Sequence, residues 1–117
     1  MGKSVVAGLD QSTDFGLPAA AIASLRSVLA QHAGIRQAII YGSRAKGNYR
    51  PGSDIDLTLD APTLDFGEFL KIDQALDDLM LPYRIDLSLL AHIDNPDLRS
   101  HIARVGKLLW QNPNPAD

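Results

Sequence analysis

Apolar positions recur along this chain with two different periods, and the switches between them mark out its elements. From Leu17-Pro18, Ile22, Leu25, Val28 and Leu29 repeat at helical spacing and predict a helix that stops near Gly34. Proline suits its first turn. Ile35 to Tyr41 is rich in β-branched residues, is closed by Gly42 and reads as a buried strand. Ser43 to Gly47 reads as a helical turn, and Pro51-Gly52 is a strong turn signal. Asp54 to Leu59 then alternates, with Asp54, Asp56 and Thr58 on one side and Ile55, Leu57 and Leu59 on the other.

The pattern returns to helical over Asp65 to Leu81, with Phe66, Phe69, Leu70, Leu76 and Met80 offered to the buried side and Pro82 as the break. Tyr83 to Leu89 alternates again, setting Arg84, Asp86 and Ser88 against Ile85, Leu87 and Leu89. Asn95-Pro96 caps and opens a last helix through Leu98, Ile102 and Val105. Gly106 ends it, and Leu108 to Trp110 adds a short strand or a final turn. The order helix, strand, strand, helix, strand, helix predicts an α+β domain over residues 17–111. Residues 1–16 form a partly ordered lead-in and 112–117 a tail.

Composition narrows the classes. A chain of 117 residues with 45% apolar content accommodates one domain with one core. No apolar run approaches the roughly 20 residues that cross a bilayer. The opening Met1-Gly2-Lys3-Ser4-Val5-Val6-Ala7 is a very short apolar patch soon interrupted by Asp10 and Gln11, so a signal peptide is not expected. The absence of cysteine excludes disulfides, thiolate-bound zinc and a thiol nucleophile, and a cytoplasmic location is expected. Net charge is -3, and the one basic cluster, Arg44, Lys46 and Arg50, suits a single polyphosphate better than a long nucleic acid, which is not an expected substrate.

The candidate chemistry lies in three carboxylates. Asp54 and Asp56, two apart on a strand, project from one face, and Asp86 joins them if its strand lies alongside. Three ionised carboxylates at close range repel and raise one another's pKa unless a cation neutralises them. Hard oxygen ligands suit Mg²⁺, and two such ions about 4 Å apart stabilise attacking and leaving oxygens in phosphoryl chemistry. Asp-x-Asp alone is ordinarily a solvated strand face. Its company makes it specific: Gly42-Ser43 upstream forms a turn whose N–H groups and hydroxyl can meet phosphate oxygens, with Arg44 and Lys46 adding charge.

On these residues the chain resembles a known family. Gly42-Ser43-Arg44-Ala45-Lys46-Gly47 followed by Gly52-Ser53-Asp54-Ile55-Asp56-Leu57 is similar to the signature of the minimal nucleotidyltransferases, within the DNA polymerase beta-like nucleotidyltransferase superfamily. The likeness runs through Leu81-Pro82-Tyr83-Arg84-Ile85-Asp86-Leu87 to the terminal helix. It implies a mixed β-sheet backed by helices, like the polymerase beta palm. Asp54, Asp56 and Asp86 become the catalytic and metal-binding carboxylates, and Gly42 and Ser43 contact the nucleotide phosphates. It further implies ATP as donor and a hydroxyl on a HEPN-type helical partner as acceptor, as in toxin–antitoxin pairs. A homodimer is the other way to complete so small an acceptor pocket. Two rivals stand beside this: a binding antitoxin that acts by occlusion without turnover, and an adenylyltransferase for a small molecule such as an aminoglycoside.

Other polar residues read as structural. His32 ends the first helix, His92 is scattered, and His101 faces solvent on the last helix. Tyr41 is a strand-end core aromatic, and Asp60 lies too far along its strand to be a ligand. Arg84 is available for a salt bridge to Asp86, and Arg50 for phosphate or solvent.

Overall fold

In the computed structural model, residues 15–114 are described, so most of the expected lead-in and the last residues of the tail fall outside them. Helix α1 (Ala19–Leu29) leads to strand β1 (Gln37–Tyr41), a single helical turn α2 (Ser43–Lys46) and strand β2 (Ile55–Asp60). Helix α3 (Phe66–Asp77), strand β3 (Ile85–Leu89), helix α4 (Pro96–Val105) and strand β4 (Lys107–Gln111) complete the order. A short 3₁₀ turn at Leu90–His92 joins β3 to the loop before α4. No helix among the described residues is long and apolar enough to cross a membrane.

The four strands form one mixed sheet in the order β3-β2-β1-β4. β1 is antiparallel to both β2 and β4, whereas β2 and β3 run parallel, with α3 as the crossover that a parallel pair requires. One sheet face carries Ala38, Ile40, Ile55, Leu57 and Leu59, which join Leu25 and Leu29 of α1 and Ile72 and Leu76 of α3 in the core. A side chain such as Leu57, fully removed from water, contributes about 1.5–3 kcal/mol by burial. The opposite face carries Tyr41, Asp56 and Asp86 in register, and α4 lies over part of it, with His101 against Tyr41. The period-2 alternation of β2 therefore separates core from chemistry.

Several boundaries and faces differ from the sequence reading. α1 stops at Leu29, short of Gly34, because Leu29 is its last core contact. Turn bonds from Gln31 N–H to Val28 O and from His32 N–H to Leu29 O then bring Ile35 into the core. His32 is diverted to Glu68 rather than capping the helix. Phe15, read as lead-in, is 4% exposed and belongs to the core. On α3 the buried stripe is Ile72 and Leu76, flanked by Phe69, Ala75 and Leu79. Phe66, Leu70 and Met80 face outward. Met80 lies beyond the helix end at φ 56, which turns its side chain away from the sheet. The caps follow expectation: Asn95 Oδ1 accepts from the N–H groups of Asp97 and Leu98, and Asp65 Oδ1 accepts from that of Glu68.

Candidate active site

The parallel pairing of β2 with β3 decides the site. It sets Asp56 directly beside Asp86, while the antiparallel pairing on the other side sets Asp56 beside Tyr41. Asp54 stands just before β2, exposed, and Asp86 is exposed on the edge strand, with Asp56 half-buried between them. Burial holds the Asp56 carboxyl above the usual carboxylate range, and the charges of Asp86 and Asp54 push it the same way. Burial likewise raises the Tyr41 hydroxyl, a hydrogen bond with Ser88 lowers it, and Asp56 and Asp86 raise it again. Deeper along this face, Ser88 Oγ donates to Thr58 Oγ1 at 2.9 Å, which satisfies a threonine that is fully buried.

Among the described residues no lysine or arginine forms an ion pair with the three acids, and the only ion pair is His32–Glu68. Nor do any three acidic or histidine side chains among them enclose a cation unaided. The donor set nevertheless fits Mg²⁺. It consists of hard carboxylate oxygens whose mutual repulsion a divalent ion would relieve, and Mg²⁺ characteristically keeps coordination positions for water and substrate phosphates.

Gly42 and Ser43 follow β1 directly and form the other side of the site. Gly42 adopts φ 73, ψ -153, a region essentially closed to other residues, and acts as the N-cap of α2. A Cβ on Gly42 would overlap Asp56 Oδ2, so glycine is required twice over, by backbone conformation and by the approach of the carboxylate. Lys46, at the end of α2, is exposed and accessible to an anion.

Arg44 corrects the sequence reading. It was expected beside the polyphosphate, yet it is 2% exposed and directed into the protein. Nε and Nη2 donate to Ser53 O at 3.0 and 2.8 Å, and Nη2 also donates to Pro51 O at 3.3 Å. Nη1 donates to Phe15 O at 2.9 Å, and the guanidinium lies between the rings of Tyr49 and Tyr83, 5.4 and 4.9 Å from their centroids. Carbonyl dipoles and aromatic faces thus take the place of a carboxylate partner. Arg44 pins the loop that delivers Asp54 and Asp56, a role that five donors on one planar group make possible. Arg44→Met should cost about 3 kcal/mol in urea unfolding, because buried carbonyls lose their donors. Unchanged stability would return Arg44 to the phosphate.

Two further residues escaped the sequence reading. His101 does not face solvent: Gly42 N–H donates to its Nε2 at 3.2 Å, and its ring meets Tyr41 edge-on at 6.3 Å. Tyr41 is buried, but on the sheet face opposite the main core, where it borders the acids. The only sequence signal for either was position, Tyr41 before the glycine turn and His101 on an amphipathic helix. Asp60, as expected, is remote from the site, where it accepts from Gln37 Nε2. No Arg84–Asp86 bridge forms among the described residues.

Comparison with known proteins agrees with this geometry. Residues 23–114 match the family model described as polymerase beta, nucleotidyltransferase. Curated protein sequences contain no match to the chain. A chain from the crystal structure of a toxin–antitoxin with AMP-PNP superposes with a TM-score of 0.62 at 23% identity, covering 79% of this chain and 74% of that one. A chain from the structure of tri-AMPylated Shewanella oneidensis HEPN toxin in complex with MNT antitoxin gives 0.58 at 21% identity, covering 80% of this chain and 71% of that one. One from a mutant of the toxin–antitoxin MntA-HpeT gives 0.59 at 26%, covering 83% and 75%. Mixed sheet and flanking helices coincide with the matched residues, and the chain belongs to the polymerase beta nucleotidyltransferase family.

Proposed function

We propose that this nucleotidyltransferase moves AMP from ATP to a hydroxyl on a HEPN-type partner protein in the cytoplasm, in a reaction that depends on Mg²⁺. The observation that carries the reading is the in-register placement of Asp56 beside Asp86, next to a glycine turn packed against the Asp56 carboxylate. Similarity to structures of toxin–antitoxin pairs, one with AMP-PNP and one with an AMPylated HEPN toxin, supports the donor and the acceptor.

Asp54 and Asp56 would hold the metal ions, with Asp86 as a further ligand. Mg²⁺ bound there would supply charge compensation to the triphosphate and the departing pyrophosphate. Ser43 and the turn's N–H groups orient the phosphate chain, and Lys46 adds a mobile positive charge at its outer end. The acceptor hydroxyl oxygen bonds to the α-phosphorus as the bond from that phosphorus to the bridging oxygen breaks and pyrophosphate leaves. Asp86, exposed on the edge strand, takes the hydroxyl proton directly or through water. A shallow site of this kind needs a second surface to fix its acceptor, which a partner or a second copy would provide.

The test is transfer of label from α-labelled ATP, with Mg²⁺, to a partner co-purified from the native host, with Asp54→Ala/Asp56→Ala as control. Label on the partner that is lost in the double variant is the expected result. A stable complex that binds ATP without transferring label would instead make the chain an antitoxin that acts by occlusion.

A further inference from the structure

The Gly42 amide is tied to a residue outside the signature. Its N–H donates to His101 Nε2 at 3.2 Å. A backbone N–H can only donate, so Nε2 presents its lone pair and the imidazole proton resides on Nδ1. The same ring packs edge-on against Tyr41, at an interplanar angle of 79°. One side chain therefore grips two consecutive residues, the last of β1 and the N-cap of α2, on both sides of the peptide that begins the turn.

The platform behind His101 is well anchored. α4 is capped at its start by Asn95, and at its end Gly106 N–H donates to Ile102 O at 2.8 Å. A Cβ on Gly106 would lie 2.8 Å from Ile39 Cγ2, so α4 meets β4 tightly against β1 at this point. Ile102, the neighbour of His101, is buried. His101 thus projects from a fixed helix onto a turn whose glycine has little rotational preference of its own. Glycine permits φ 73 without selecting it; an acceptor held opposite the N–H selects it.

We propose that His101 is a positioning residue for the nucleotide: by accepting the Gly42 N–H it fixes the Tyr41–Gly42 peptide plane, and with it the direction in which Ser43 meets phosphate. This rests on the reading of Gly42-Ser43 as the phosphate-binding turn. His101 touches neither nucleotide nor acceptor in this role. It acts through the backbone, and α4 becomes part of the donor site rather than a lid on the sheet.

Two substitutions separate the hydrogen bond from the packing. His101→Phe keeps a ring against Tyr41 but has no acceptor, whereas His101→Gln offers a carbonyl oxygen at similar reach. Calorimetric titration with Mg²⁺ and AMP-PNP should show affinity about fivefold to tenfold weaker for H101F, the worth of one hydrogen bond, and largely recovered in H101Q. In the transfer assay KM for ATP should rise by the same factor in H101F with kcat little changed, since the turn binds ground and transition states alike. The Gly42 amide resonance, read by NMR without nucleotide, should shift in H101F and return towards its original position in H101Q. Equal AMP-PNP affinity in wild type and H101F, or H101Q no better than H101F, would overturn the positioning role. Wild-type protein that failed to bind AMP-PNP would instead overturn the phosphate reading of the turn, and the positioning role with it.

Discussion

Asp56→Asn should lower nucleotidyl transfer by about a thousandfold or more while the protein remains folded. Several kcal/mol of transition-state stabilisation are expected from the charge compensation that depends on this carboxylate, and each 1.36 kcal/mol is worth about a factor of ten in rate. Stability should move the other way. The Asp56 carboxyl is held above its ordinary range by burial, then by Asp86 and Asp54, so the folded protein favours its neutral form. In the window between the unfolded and the raised folded pKa, the folded state binds more protons than the unfolded one. Stability of the metal-free protein therefore falls as pH rises through that window. An uncharged asparagine removes this penalty. Urea unfolding without metal should find the variant at least as stable as wild type at neutral pH, and with a weaker pH dependence across the acid range. Retained transfer in Asp56→Asn would remove the carboxylate from the mechanism. A large loss of stability would show that it serves the fold.

Gly42→Ala should cost about 2 kcal/mol of stability and about a hundredfold in transfer. The stability term follows from placing a side chain at φ 73, ψ -153 and from the overlap of its Cβ with Asp56 Oδ2. The rate term follows from the new Cβ, which would displace the Asp56 carboxylate, since misplacing a reacting group by about 1 Å typically costs two orders of magnitude. The two causes can be separated. In an Asp56→Ala background the overlap is gone, so the stability cost of Gly42→Ala should shrink to the backbone contribution alone. Equal costs in both backgrounds would mean that Gly42 and Asp56 are not in contact.

Local periodicity made much of this protein legible. The alternation of Asp54 to Leu59 and of Tyr83 to Leu89 correctly separated acids from core, because a strand's two faces are set by covalent geometry whatever it pairs with. The caps at Asn95 and Gly106 were equally legible, since they depend on residues a few positions apart. The wide helical pattern of α3 was less so. Several apolar residues competed for one face, and only the position of the sheet selected Ile72 and Leu76 over Phe66, Leu70 and Met80.

The sequence alone determined the α+β class, the three candidate acids and the glycine-serine turn, because each is written in neighbouring residues. Tertiary structure alone decided that Asp86 stands beside Asp56, that Arg44 serves the loop rather than the polyphosphate, and that His101 reaches Gly42. These are contacts between elements far apart in the chain. A buried arginine and an exposed one look identical in sequence, and so does a histidine on either side of a helix. What separates them is the packing of α4 and β3 onto the sheet, where burial and partner geometry, not residue type, assign the role.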